Sequence, residues 1–314
     1  MTATRRWSER SGSEPISRMT IKTATSLLKQ TAEEWVRDRA PMLGASLAYY
    51  TVFSLAPLLI ISISIAGLVW GDEAARGKIF EQLHHLIGEQ GGKATQEMVQ
   101  SAGSKPATGI IASITGLVTL LLGASGVFGQ LQSSLNIMWE VEPKSGQGLL
   151  GFIRKRFLSF GFILVVGFLL LVSLILSAAI TFLAESVGGV ISGVEIIAHI
   201  LNFAFSFGVV TALFALMFKF LPDAVIAWRD VWLGAVITAA LFTIGKFALG
   251  FYLGTTSVAS AYGAAGSLIV LLLWVYYSSQ IFFFGAEFTQ VWANRFGSRV
   301  VPADDAKSTG KEPE

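Results

Sequence analysis

Charge disappears from this chain in long, regularly spaced stretches. Ala40 to Gly71 contains no Asp, Glu, Lys or Arg in thirty-two residues, and similar runs lie between Lys105 and Glu140, Arg156 and Glu185, Glu195 and Lys219, and Lys246 and Glu287. A helix rising ~1.5 Å per residue crosses the ~30 Å hydrocarbon layer in ~20 residues, so each run can form a membrane span. The pattern predicts an all-α polytopic membrane protein with six transmembrane helices: roughly 46–70, 108–130, 157–183, 196–218, 231–253 and 262–292. The last two are separated by the turn-prone Gly254, Thr255, Thr256 and Ser257, with Gly263 beyond them. The expected organisation is a cytoplasmic N-terminal segment (1–45), a transmembrane domain (46–292) and a disordered cytoplasmic tail (293–314).

Two polar stretches carry a helical period. Ile21, Thr25, Leu28, Ala32 and Trp35 recur at 3.6-residue spacing among Lys22, Lys29, Arg37 and Arg39, which predicts an N-terminal amphipathic helix, either on the inner leaflet or packed on cytoplasmic loops. Ala75, Ile79, Leu83 and Leu86 predict a helical outer loop that Gly91 and Gly92 should end. Lys and Arg concentrate in the N-terminal 45 residues, in the second and fourth loops and in the tail. The third and fifth loops have none, and the first loop offsets Arg76, Lys78, Lys93 and Lys105 with five acids. Positive charge stays inside, so both termini are expected to be cytoplasmic. Trp70, Trp139, Trp228, Trp232 and Trp292 fall near span ends, where an indole suits the interface.

Composition sharpens this picture. The 314 residues are 53% hydrophobic and 14% charged, far from the roughly one-quarter charged content of a soluble domain. A net charge of +2, spread along the hydrophilic ends, gives nucleic acid no basic stripe to bind. The absence of cysteine excludes a disulfide, a thiolate metal site and a cysteine nucleophile. The first 40 residues lack the apolar core of a signal peptide, so the first span is expected to act as its own uncleaved signal. His84 and His85 are adjacent and point ~100° apart on a helix, which does not suit the i, i+4 geometry of a zinc helix, and His199 is distant. No P-loop, Gly-x-Ser-x-Gly elbow or His-Glu-x-x-His element is present. The expectation is a protein that is not an enzyme and carries no metal or other cofactor.

The candidate functional residues are polar groups within the spans. Gly109, Ser113, Gly116, Gly123, Gly126, Gly129, Ser133 and Asn136 share one side of the second span and its continuation, where they would pack helices closely or line a polar path that includes Gln130 and Asn136. Lys246 is placed well inside the fifth span, at a cost of at least ~2.5 kcal/mol, and shares a face with Ala235, Ala239, Thr243 and Gly250. It would either snorkel outward or attract an anionic group. Glu287 lies near the cytoplasmic end of the sixth span, too far from Lys246 to pair with it, so Arg154 or Arg156 is its expected partner. Gln280 is the other polar candidate of that span, and Pro57 is expected to bend the first span by removing a backbone hydrogen bond.

The strings Ala45 to Leu59 (ASLAYYTVFSLAPLL) and Tyr262 to Thr289 (YGAAGSLIVLLLWVYYSSQIFFFGAEFT) resemble the YihY/BrkB family of bacterial inner-membrane proteins. Tyr49, Tyr50, Pro57, Gly263, Gly266, Trp274, Tyr276, Gly285 and Glu287 carry the pattern, and the resemblance covers roughly residues 20–295. It implies a six-span protein of the cell envelope, with relatives described as virulence or serum-resistance factors and others linked with lipid export. The older family label, ribonuclease BN, requires clustered His and Asp metal ligands that the sequence does not offer. The expected role is a transporter or lipid-handling protein, with a non-transporting envelope scaffold or virulence-associated interaction protein as the alternative. Its expected partners are membrane lipids, an anionic lipid or small-molecule substrate, and a second copy of the chain or an envelope protein.

Overall fold

The computed structural model describes residues 21–103, 126–144, 169, 194–255 and 266–309. The helices, in chain order, are α1 (Ile21–Arg37), α2 (Ala40–Trp70), α3 (Asp72–Gly103), α4 (residues 126–138), α5 (Val194–Phe220), α6 (Trp228–Thr255) and α7 (Gly266–Arg295). Short strands β1 (Val141–Pro143), β2 (Ala224–Val225), β3 (Val301–Pro302) and β4 (Ala306–Ser308) join their ends. Three segments are long and apolar enough to cross a membrane: His199–Phe220 in α5, Trp228–Leu253 in α6 and Leu268–Arg295 in α7. They match the fourth, fifth and sixth predicted spans. Helix α2 covers the first, starting six residues earlier than expected with Pro41 in its first turn, where a missing N–H costs nothing. The third predicted span and nearly all of the second lie outside the described residues.

The outer surface is apolar where a soluble protein would be polar. Ile196, Ile200 and Phe203 of α5 and Ile244, Phe247 and Phe251 of α6 recur at helical spacing and are exposed. Water would penalise that surface at ~25 cal/mol per Å², whereas hydrocarbon does not.

Helix α7 is the centre of the bundle, with α1, α2, α3 and α6 all packed against it. Its contact with α6 is reciprocal. A Cβ on Gly234 of α6 would overlap the Thr289 side chain of α7, and a Cβ on Gly285 of α7 would overlap Thr238 of α6. The order reverses between the helices, so they run antiparallel. Each threonine hydroxyl donates within its own helix, Thr238 Oγ1 to the Gly234 carbonyl and Thr289 Oγ1 to the Gly285 carbonyl, both at 2.7 Å. The hydroxyls are thus satisfied without a partner across the interface, and glycine lets the backbones approach.

The main apolar core sits at one end of the bundle, where Leu135, Met138 and Trp139 meet Phe218, Phe282 and Phe283. Phe218 and Phe282 stack with ring centroids 5.1 Å apart. A second cluster docks α1, with Leu27 packed among Phe288, Val291, Trp292 and Phe296. Helix α1 packs by its Leu27 and Thr31 face on α7, a setting that differs from the cytoplasmic loops expected as its packing partner. Ile21, Thr25, Leu28 and Ala32, four of the five positions of the predicted stripe, stay exposed.

Three sequence expectations are corrected. Helix α3 continues through Gly91 and Gly92 to Gly103, since packing against α2 and α7 outweighs a glycine penalty of ~1 kcal/mol each. Trp139 and Trp292 are core residues at 1% and 8% exposure and not interfacial anchors, while Trp228 and Trp232 are exposed. The segment after α7, expected to be a disordered tail, is ordered as far as Thr309. Strand β3 pairs with β2 (Ala224↔Pro302, Val225↔Val301) and β4 pairs with β1 (Val141↔Ser308, Pro143↔Ala306). These backbone bonds clamp the loops after α4 and α5, and the Lys307–Glu142 contact at 2.6 Å reinforces them.

The turn after α7 is anchored by Asp230, which is fully buried in the first turn of α6. Its Oδ2 accepts from the Ser298 backbone N–H and from Ser298 Oγ, both at 2.8 Å. A Cβ on Gly297 would overlap that oxygen. Gly297→Ala is therefore expected to cost ~1–3 kcal/mol by overpacking against a buried carboxylate. Thermal unfolding in detergent checks this, and an unchanged midpoint would contradict it.

Candidate functional site

The site forms where α1 ends. Arg39 has φ of 54°, a left-handed conformation that breaks the helix between α1 and α2. This turn places Asp38 against α7, where its carboxyl lies close enough to that of Glu287 for the two to interact. Glu287 is 1% exposed, and its Oε1 has no hydrogen-bond partner among the described residues. Arg37 supplies the cation beside the pair. Its guanidinium meets Glu34, Glu140 Oε1 at 2.9 Å and Asp38 Oδ1 at 3.5 Å. Three carboxyl groups therefore share one guanidinium, and Glu287 lies behind them within its electrostatic reach. Burial raises the Asp38 carboxyl above its ordinary range, with Arg37 opposing the shift, and burial likewise raises Glu34.

Gln280 lies seven residues before Glu287, two turns or ~10 Å along the same face of α7. Both atoms of its amide are buried without hydrogen-bond partners, and the amide covers Gly44 of α2 so closely that a Cβ there would overlap it. Glu287 and Gln280 thus form one polar track between α7 and its neighbours.

The other candidates go elsewhere. Asn136 is a clamp: its Nδ2 donates to Asp223 Oδ2 at 2.9 Å, and its Oδ1 accepts from the Asp223 backbone N–H at 2.8 Å. Gln132 adds a bond to Asp223 Oδ1 at 3.2 Å. Gln130 bonds Ser134 one turn along α4 at 3.3 Å. Lys246 is partly buried on α6, on the face that holds the fully buried Ala235 and Ala239 and that opens at the exposed Gly250. The adjacent Gly245 packs on Tyr277 and Ile281, which sets Lys246 level with a point about ten residues, or ~15 Å, from Glu287. The structure does not bring the two together.

Of the small residues, Gly126 packs on the Tyr50 ring, Gly285 on Thr238, and Gly266 begins α7. Pro57 lies within α2. Gly116, Gly123, Gly263, Arg154 and Arg156 lie outside the described residues. Sequence reasoning counted Arg37 only as a positive charge and passed over Glu34, Asp38 and Glu140. The available signal was a carboxylate two residues before the long uncharged run. Among the described residues, no group of three or more His, Asp or Glu side chains could hold a metal ion.

The apolar exterior and the costly polar track within α7 define a helical integral membrane protein. Residues 31–309 match the family described as Virulence factor BrkB, and the chain belongs to it. A UPF0761 membrane protein of Pseudomonas aeruginosa (strain LESB58) is 28% identical over 259 residues, covering 81% of this chain and 60% of the relative. Those of Alcanivorax borkumensis and Alkalilimnicola ehrlichii are 28% and 26% identical, over 83% and 93% of this chain and 58% and 63% of theirs. The chain thus spans about three-fifths of these relatives' length. No solved structure matches it.

Proposed function

We propose that this chain is a six-span protein of the bacterial inner membrane, with both termini cytoplasmic, that transports or handles an anionic envelope lipid or small amphiphile without enzymatic chemistry. One observation carries this reading: buried, incompletely bonded polar groups persist at Gln280 and Glu287 in a span that packing alone would fill with apolar residues. Each such group costs ~1–3 kcal/mol, and groups of this kind concentrate at working sites. Lys246, deeper in the bundle, supplies the positive contact for an anionic headgroup. The clamp at Asn136 favours the second reading, an envelope scaffold, because it assigns one of the polar candidates to holding a turn.

Reconstitution separates the two. Proteoliposomes containing the full chain should move a fluorescent anionic lipid between leaflets, and Lys246→Met should slow this ~10-fold or more, the equivalent of one charge-assisted contact, while insertion and unfolding stay normal. Absence of movement above empty vesicles would leave the scaffold.

A further inference from the structure

We propose that Asp38 and Glu287 form a proton-binding site that latches α1 onto α7, holding one proton when α1 is docked and releasing α1 when that proton leaves. The proposal does not depend on transport.

The first support is hydrogen-bond chemistry. Two carboxylates offer only acceptors, so Asp38 and the buried, unpartnered Glu287 can bond each other only when one of them holds a proton. Glu287, nearly inaccessible, is the group that cannot exchange this partner for water. The second support is charge. Glu34 and Arg37 of α1 are the other ionisable groups that bear on Glu287, and Glu140, at the end of α4, lies behind them through its contact with Arg37. On α7 itself the next ionisable side chain is Arg295, eight residues on, where it bonds Ser26 Oγ at 3.1 Å. One guanidinium among four carboxyls leaves the cluster acidic, and like charges this close cannot all ionise at low cost. The third support is position. Glu287 lies one residue from Phe288, which with Val291 and Trp292 receives Leu27 of α1, so the charge of the pair acts directly on the docking surface.

The sign follows from linkage. Asp38 and Glu34 are raised by burial in the docked state, so docking is favoured below their ordinary range and weakens as pH rises through the raised values. Raising the pH through those values should therefore undock α1 and separate Asp38 from Glu287.

The chain has no cysteine, so single thiols report cleanly. Leu27→Cys places a thiol in the α1–α7 contact, and Lys29→Cys, at an exposed position, corrects for the pH dependence of thiol reactivity itself. In full-length protein in nanodiscs, the corrected alkylation rate at position 27 should rise ~10-fold or more from acid to alkaline pH, as for a pair interaction of at least one pK unit. Infrared difference spectra should lose a protonated-carboxyl C=O band over the same range. Glu287→Gln donates the same hydrogen bond without titrating, so it should abolish the band and keep position 27 protected throughout. If that variant does not fold, Asp38→Asn, which removes the like-charge repulsion, should also keep position 27 protected. A flat alkylation profile in the otherwise native chain, no carboxyl band at any pH, or a folded variant that titrates like the native protein would overturn the proposal.

Discussion

Gly285→Val will cost this protein about 3 kcal/mol of stability, because a branched side chain there must displace Thr238, whose Oγ1, Cβ and Cγ2 fill the space a Cβ at 285 would need. The far end of a long side chain could swing away, but a threonine whose hydroxyl bonds the Gly234 carbonyl at 2.7 Å cannot do so without losing that bond. The smaller change Gly285→Ala should cost less and be partly relieved by Thr238→Ala, which removes the Oγ1 and Cγ2 atoms the new methyl would strike. Equilibrium unfolding in mixed micelles should show a coupling of ~0.5–3 kcal/mol between the two sites. Strict additivity would mean that the helices are not held at this crossing. Gly234, facing Thr289, should behave in the same way.

Asn136→Asp should be worse still at neutral pH. The substitution aims a second carboxylate at Asp223 and removes the donor that Asp223 Oδ2 accepts from, at an expected cost of ~3–5 kcal/mol. Asn136→Ala should cost ~2–3 kcal/mol, since it leaves a buried backbone N–H and a carboxylate oxygen each short of a partner. Asp223→Asn keeps one acceptor and should be mildest. The stability of the Asn136→Asp protein should recover as pH falls, because protonation restores a donor between the two groups. An unfolding titration across acidic and neutral pH checks the order and the recovery; a reversed order would show that the clamp does not hold the α5–α6 turn.

These two sites differ in how far they could be read in advance. Gly285 belongs to a recognisable string, and glycine in an apolar helix suggests close approach, but only the crossing identifies Thr238 as the residue it accommodates. Asn136 was legible as a polar residue in a small-residue stripe, which fits a cavity lining as well as a clamp. Its partner is eighty-seven residues away, and no local spacing encodes that distance. The pairing of β4 with β1 was hidden for the same reason: Ala306–Ser308 has neither length nor alternation to mark a strand and becomes one only against residues 141–143.

What the sequence determined by itself is that the chain belongs in a membrane and that the apolar runs of residues 199–220, 228–253 and 268–295 become long helices. Excluding charge for twenty or more residues has one physical use, and that signal is local, written in consecutive positions. What only the tertiary structure decided is which polar groups meet. Asp38 and Glu287 lie 249 positions apart, and a left-handed turn at Arg39 and a Leu27 contact bring them together. Hydropathy is a property of segments, whereas a shared proton is a property of two side chains, and only packing brings those side chains together.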